Sequence, residues 1–410
     1  MRLLFIVDGL ESAELEESGS WLGELAGQLA QRGHRVTALC TRPLEPWQTA
    51  ETPAGVTVWR PTPEGFESAL QQALEQRPDV VHLSATTALH SRVAERLSQT
   101  PLVADLHDFG TICAGRDLLF RAEARLCSQQ HPFEGCGACA GLSRVGEMDS
   151  RRALALAARV RVAHSAYARD RLSEGLGAPV ELLPYGVDPL RFSPEAESPL
   201  SPEIAALYAD RAARRVLLLG PPSQARGAGI ACDLLVALYA RVPGVELVVA
   251  GRDHADPDGY TVLLAEAKEL GLAARLRLLP SVPRADLPAL MASCRVAVAP
   301  GPAPEAGGLA ILQALAAGLP VVAHPAGATA EWVGHGREGL LIPGRPVGSF
   351  AHSVAAMLTE DVSRSAYSER ARLAAMERFD LERVVFATEE LYREVRSGSE
   401  DRGVLRRAAA

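Results

Sequence analysis

A lone acid beside two glycines, followed by an apolar run broken by one amide, is an uncommon way to begin a core helix. In Pro304-Glu-Ala-Gly-Gly-Leu-Ala-Ile-Leu-Gln-Ala-Leu-Ala-Ala-Gly-Leu-Pro-Val-Val322 the acid is Glu305 and the amide Gln313. Steps of three and four between Leu309, Leu312 and Ala316 mark a buried helical face. A helix beginning near Gly307 places Glu305 at its N-terminus, beside unpaired backbone N–H groups and the positive dipole end, where anions and hydroxyl-rich ligands are held. Gly307 and Gly308 let a ligand approach the backbone closely. The plain alternative is an acid that only stabilises the helix dipole.

A second group consists of thiols. Cys113, Cys127, Cys136 and Cys139 lie in the run CAGRDLLFRAEARLCSQQHPFEGCGAC. One C-x-x-C with two further cysteines suits a closed four-thiolate site for structural zinc, with an iron–sulfur cluster as second choice. The spacing is not that of a standard finger, so four free thiols fit it equally well. Cys40, Cys232 and Cys294 sit in apolar surroundings and read as core residues.

The elements that must position these residues recur as short Val, Leu and Ile runs, each followed by helical spacing, which is the pattern of βα units around a parallel sheet. Strands are expected at 3–7, 35–40, 56–60, 79–84, 102–108, 159–165 and 179–184, with helices such as Trp21–Arg32 and Ala88–Leu97 between them. The pattern restarts at 215–220 and continues through 245–251, 275–280, 295–300, 319–324 and 339–343. In DPLRFSPEAESPLSPE (188–203) four prolines break every periodicity. The expected fold class is therefore α/β, with two doubly wound domains at 1–196, including a Cys-bearing insert at about 113–139, and at 197–378. An amphipathic helix at 379–396 is expected to return to the first domain, ahead of a loose tail at 397–410. Such sheets hold ligands outside the carboxyl ends of their strands, so two facing sheets hold a substrate between them.

Composition narrows the chemistry. A formal charge of −8 over 410 residues speaks against nucleic acid as a partner. Of 42 basic residues only Lys268 is lysine, so arginine stands almost wherever a cation is needed. The start, MRLLFIVDGL, reads as a buried strand and not a leader, and no stretch reaches the ~20 apolar residues of a membrane span. With an odd cysteine count this points to the cytoplasm. No G-x-G-x-x-G opens a helix after a strand, VLLLGPPSQARG lacks the G-K-[ST] end of a P-loop, and no G-x-S-x-G elbow exists.

PEAGGLAILQALAAGLPVVAHPAGATAEWVGHGREGLLIPG resembles the C-terminal signature of family 4 glycosyltransferases of the GT-B fold, usually P-x-x-E-G-F-G-L-x-x-x-E-A-x-A-x-G-x-P-V. LLPYGVDPLRFSP (182–194) is similar to the family's strand-to-linker signature, an asparagine or similar residue then G-V-D and a later R-F-x-P. GHRV, PDVVHLS, LVADLHDFG, the Ser165 that ends VRVAHS, and ERFDLERVVFATEELY fall in family order. A cysteine-bearing insert after H-D-F occurs in a subset of that family.

The resemblance implies a retaining hexosyl- or glycosyltransferase with two Rossmann-like domains facing a cleft. It implies a nucleotide-sugar donor held by the C-terminal domain, an acceptor that is a glycan, a lipid-linked molecule or a small molecule, and no catalytic metal. A role in polysaccharide, glycolipid or related glycoconjugate biosynthesis follows, in the cytoplasm or peripherally at the inner face of the membrane. Glu305 would accept hydrogen bonds from donor-sugar hydroxyls, the N–H groups around Gly308 and Leu309 would face sugar and phosphates, and His107 would sit near the transferred sugar. Val282 would offer backbone contacts to the base.

Several positions depart from the pattern. Gln313 stands where the family has a second Glu on the nucleotide ribose. Where G-R-x-x-x-x-K-G is usual the chain reads GPPSQARG, with Pro221 for the Arg and Arg226 for the Lys; a guanidinium still grips phosphate in a bidentate way. The N-terminal glycine loop is SGSW, with only Gly19 kept, and the aromatic of E-G-F-G is Gly307. Together these admit a second reading, a catalytically impaired GT-B-shaped binding or scaffold protein.

Overall fold

The computed structural model describes the chain except residues 11–16, 43–51, 85–90, 121–124, 128–134, 194–199, 252–258, 281 and 399–410. Two parallel sheets carry the molecule. The first is built from β1 (Arg2–Val7), β2 (Arg35–Cys40), β3 (Val56–Trp59), β4 (Val80–Ser84), β5 (Leu102–Leu106), β8 (Val160–Ala163) and β9 (Glu181–Leu182), in the order β3-β2-β1-β4-β5-β8-β9. A two-stranded antiparallel hairpin, β6 (Leu119–Phe120) and β7 (Arg125–Leu126), lies in the insert between β5 and β8. The second sheet runs β12 (Leu276–Leu279), β11 (Glu246–Ala250), β10 (Arg215–Leu218), β13 (Val296–Ala299), β14 (Val321–Ala323), β15 (Gly339–Leu341). Every pairing in both large sheets is parallel.

The continuous apolar runs of the sequence are what such strands require, because helices cover both faces. Leu3, Phe5 and Val7 of β1 pack with Leu22, Leu25 and Leu29 of the helix Glu17–Gln31, while Leu4 and Ile6 face Leu70 and Leu97 on the other side. Val216 and Leu218 of β10 meet Leu234, Leu235 and Val354. Leu217 and Ala297 turn instead toward Leu312 and Leu315 of the helix Leu309–Ala316. One apolar cluster is continuous from the first sheet through Tyr185 and Phe192 to the second. The helix Leu381–Ser397 belongs to it through Val385, Leu391 and Tyr392.

That last helix is tied to the first sheet by polar contacts. The Tyr392 hydroxyl donates to His82 Nδ1 at 2.7 Å, and the Glu389 carboxylate accepts from Arg32 Nε at 3.0 Å and stands 2.9 Å from His34 Nε2. Both sheets reverse strand order next to their first strand, between β1 and β4 and between β10 and β13. These are the points where open sheets of this kind hold ligands.

Candidate functional site between the two sheets

The helix Leu309–Ala316 follows β13 and begins at Gly308, whose φ of 72° is left-handed and so favours glycine. The start thus falls one residue after the glycine at which the sequence sets it. A Cβ at Gly308 would crowd the Trp332 ring, and Trp332 Nε1 donates to the Gly307 carbonyl at 2.7 Å. The first intrahelical bonds are those of the Ile311 and Leu312 N–H groups to the Gly308 carbonyl, at 3.0 and 3.1 Å, so the N–H groups of Leu309 and Ala310 precede the helix ladder.

Glu305 precedes this start. Its backbone is held by Ala326 and Ala328, with Glu305 N–H to the Ala326 carbonyl at 3.2 Å and Ala328 N–H to the Glu305 carbonyl at 2.9 Å. The carboxylate pairs with the guanidinium of Arg226 through Oε1, while Oε2 is buried without a hydrogen-bond partner. Arg226 lies in the turn after β10, its side chain folded over Gly220. The acid read as sugar-facing and the cation read as diphosphate-facing are therefore neighbours.

Gln313 is one and a half turns into the helix; its carbonyl accepts from Ala317 N–H at 2.9 Å, while its side-chain amide makes no hydrogen bond among the described residues. Its pocket is lined by Trp21, Glu24, Gly186, Asp188, Arg191, Arg284 and Leu309 as well. There Arg191 Nη1 donates to Glu24 Oε2 at 2.5 Å, and Arg284 pairs with the same oxygen. One carboxylate of the first domain thus holds a guanidinium of the linker and one of the second domain. Val282 is buried beside this pocket without lining it. Gly19, expected in a loop ahead of a helix at Trp21, lies instead in the first turn of Glu17–Gln31. With the first glycine of the usual loop replaced by Ser18, nothing locally stops the helix from starting a turn earlier.

The first domain meets the helix start directly. Ser165 caps the helix Ala166–Leu176 by accepting from Ala168 N–H at 3.0 Å, and its hydroxyl donates to the Ala306 carbonyl at 2.6 Å. Glu331 accepts from the N–H groups of Ala166 and Tyr167 at 2.9 and 2.7 Å. A carboxylate of the second domain is thus seated on a helix N-terminus of the first, where its charge is stabilised.

His107, at the end of β5, is 4% exposed and lies under Tyr185, which is fully buried. The Tyr185 hydroxyl stands 2.8 Å from His107 Nδ1, and its ring stacks on His164 at 3.7 Å. The resemblance puts His107 near the transferred sugar; here Tyr185 lies against it and both are buried. The reason is visible at position 307: a Cβ on Gly307 would overlap the Tyr185 ring, so the tyrosine fills the space that a side chain there would take. Tyr185, Glu24, Arg191, Arg284 and Glu331 are site residues that motif reading passed over. For Tyr185 a signal existed, since it stands before G-V-D where asparagine is usual.

Beneath Tyr185, Asp105 is the centre of a buried network. Its Oδ2 lies 3.0 Å from His82 Nε2 and 3.6 Å from His107 Nε2, and its Oδ1 lies 2.6 Å from His164 Nε2. Burial alone would raise the Asp105 carboxyl, but the three imidazoles hold it well below the usual carboxylate range. Burial pushes His107 down to about 4, against the pull of Asp105, so the ring is neutral at physiological pH. His164 Nδ1 faces the Leu183 carbonyl at 2.8 Å while Nε2 faces Asp105, so both nitrogens look at acceptors.

Asp105, His107 and His164 are also the one set of three ligating atoms within 4.8 Å of one another among the described residues. The 2.6 Å contact argues against an ion between them, because two tetrahedral ligands about 2.0–2.1 Å from zinc stand roughly 3.3 Å apart. The four insert cysteines form no such set. Cys113, Cys127 and Cys136 are buried and Cys139 half-buried, all as free thiols. Three of them border one dipeptide: the Cys113 sulfur accepts from Leu118 N–H, Cys127 N–H donates to the Leu118 carbonyl at 2.7 Å, and Cys139 Sγ lies 3.8 Å from the Leu119 carbonyl. Backbone N–H groups around a sulfur suit a free thiol and a thiolate ligand alike.

Comparison with known proteins supplies the context for this geometry. Residues 19–191 match the family model described as Glycosyltransferase Family 4, and residues 230–374 that described as Glycosyl transferases group 1. The sucrose-phosphate synthase of Thermosynechococcus elongatus superposes with a TM-score of 0.72 at 19% identity, covering 97% of this chain and 100% of that one. The chain has the GT-B fold of glycosyltransferases. In sequence it is 34% identical over 146 residues to the D-inositol 3-phosphate glycosyltransferase of Mycobacterium avium (strain 104), covering 35% of this chain and 34% of that protein. It is 32% identical over 225 residues to the phosphatidyl-myo-inositol mannosyltransferase of Mycobacterium tuberculosis (strain ATCC 25618 / H37Rv), covering 54% of this chain and 55% of that protein. The chain thus spans from a third to about half of the length of these relatives. No helix among the described residues is long and apolar enough to cross a membrane.

Proposed function

We propose that this GT-B chain is a family 4 glycosyltransferase that moves a hexose from a nucleotide-sugar donor to an acceptor hydroxyl with retention of configuration. The observation that carries this reading is the meeting of an acid, a cation and a left-handed helix start at one point, in Glu305, Arg226 and the turn at Gly308 and Leu309. On this reading Arg226 exchanges Glu305 for the donor diphosphate. Glu305 then accepts hydrogen bonds from the sugar hydroxyls, Gln313 serves the ribose, and the backbone near Val282 serves the base. The helix start and the guanidinium neutralise the leaving diphosphate, and a β-phosphate oxygen takes the acceptor proton, so no side-chain base is needed. The names of the two relatives support an inositol-containing or lipid-linked acceptor.

A second reading, a binding or scaffold protein without turnover, is favoured by the burial of His107 under Tyr185 and by the mutual pairing of Arg226 and Glu305. A thermal-shift panel of GDP-, UDP- and dTDP-hexoses, followed by assay of nucleotide release, separates the two. A donor at one hundred times its dissociation constant adds about 2.7 kcal/mol of stability. We expect a shift with one nucleotide class, and loss of most turnover in Glu305→Ala at nearly unchanged melting temperature. No shift with any nucleotide would end the enzymatic reading.

A further inference from the structure

We infer that Tyr185 is a positioning residue for the transfer, its hydroxyl fixing the orientation of His107 and its buried ring packing against Gly307 behind the helix start that follows Glu305. This rests on the glycosyltransferase reading.

The proton arrangement follows from donor and acceptor chemistry. His107 Nε2 lies 3.6 Å from Asp105 Oδ2, beyond hydrogen-bond distance and without a hydrogen-bond partner among the described residues, so the carboxylate favours the Nε2–H tautomer through its charge alone. His107 Nδ1 is then the acceptor, and the Tyr185 hydroxyl at 2.8 Å donates to it. His107 is 4% exposed, so without this hydroxyl Nδ1 would be a buried polar atom with no water to replace the partner. The imidazole would have to turn or take up a proton.

Position 185 is suited to transmit this across the cleft. It lies just after β9, on the segment leading to the linker, and touches both domains. On one side its ring runs parallel to those of His107 and His164, with centroids 6.0 and 3.7 Å away. On the other it fills the space that a Cβ at Gly307 would need, one residue before the left-handed turn at Gly308. Trp21 meets the ring edge-on at 5.4 Å, closing the third side. The ring therefore couples the placement of His107 to that of the Glu305 helix start. The glycine at 307 and the aromatic at 185 are complementary choices.

The test uses Tyr185→Phe, which keeps the ring and removes only the hydroxyl, in the full chain. With ¹⁵N-labelled histidines, wild type is expected to show His107 as the Nε2–H tautomer with a hydrogen-bonded Nδ1. In Tyr185→Phe that Nδ1 signal moves or the tautomer becomes mixed. In a nucleotide-release assay with GDP-mannose and UDP-glucose, kcat falls about tenfold, the worth of one neutral hydrogen bond, while KM changes less than twofold. Tyr185→Ala, which also removes the ring that supports Gly307 and the helix start after Glu305, raises KM as well. Unmoved His107 signals, or an unmoved kcat in Tyr185→Phe with an active wild type, overturn the role of Tyr185 alone. A wild type that neither shifts in melting temperature with nor releases nucleotide from any of the GDP-, UDP- and dTDP-hexoses overturns the glycosyltransferase reading and this role with it.

Discussion

His107 illustrates how burial changes what a residue can do. An imidazole held neutral by desolvation is a hydrogen-bonding group and not a charge, and it links folding to pH. In the folded chain it protonates at about 4, whereas an unfolded histidine does so near 6.5, so between these values the unfolded state binds more protons. Stability is then complete above about pH 6.5 and falls as pH drops toward 4. Asp105, held low, acts in the same direction, since its contribution is lost as pH falls through its folded value. The His107 part alone is worth about 3 kcal/mol on the scale of 1.36 kcal/mol per unit. Melting temperature measured from pH 7 to 4.5 should therefore decline, and decline less steeply in His107→Gln. Equal slopes would show that another group carries the pH dependence.

Among the elements, the C-terminal helix Leu381–Ser397 is the clearest case of a segment whose place is set by a few contacts distant in sequence. Its apolar stripe packs into the first domain although the preceding helix, Asp361–Arg378, packs on the second. Asp380 caps it, accepting from Glu382 N–H at 2.7 Å. Glu389 then fixes its register on Arg32 and His34, with the carboxylate 5% exposed and Arg32 40%. Half of that pair is wet, so its worth is well below that of a fully buried one. Glu389→Ala should cost about 2 kcal/mol in urea unfolding, chiefly by leaving His34 and Arg32 without their acceptor. A cost below 0.5 kcal/mol would mean that the apolar stripe alone seats the helix.

The whole molecule is closed by contacts between domains. Ser165 to Ala306, Glu331 to the start of Ala166–Leu176, and Glu24 to Arg191 and Arg284 all cross from one domain to the other or to the linker. Closing the domains on a donor excludes water from the transfer. Opening must break these same pairs. Glu24→Gln removes the charge shared by two guanidinium groups while keeping the shape. X-ray scattering of the unliganded variant should give a larger radius of gyration than wild type, by an amount that shrinks at low salt as the remaining pairs strengthen. An identical radius at every ionic strength would exclude Glu24 as a latch.

The sequence by itself determined the two parallel sheets and, to within a residue, the helix start that follows Glu305. Continuous apolar strands buried on both faces, and glycines at a left-handed turn, are local demands that single residues reveal. It also exposed the departures at Pro221, Gly307 and Gln313. Only the tertiary structure decided what those departures mean. Tyr185 fills the place opposite Gly307 from 122 positions away. A carboxylate beside Gln313 in its pocket comes from Glu24. Periodicity records which face a residue turns inward, but not which distant residue comes to stand against it, and the chemistry of this cleft lies in those pairings.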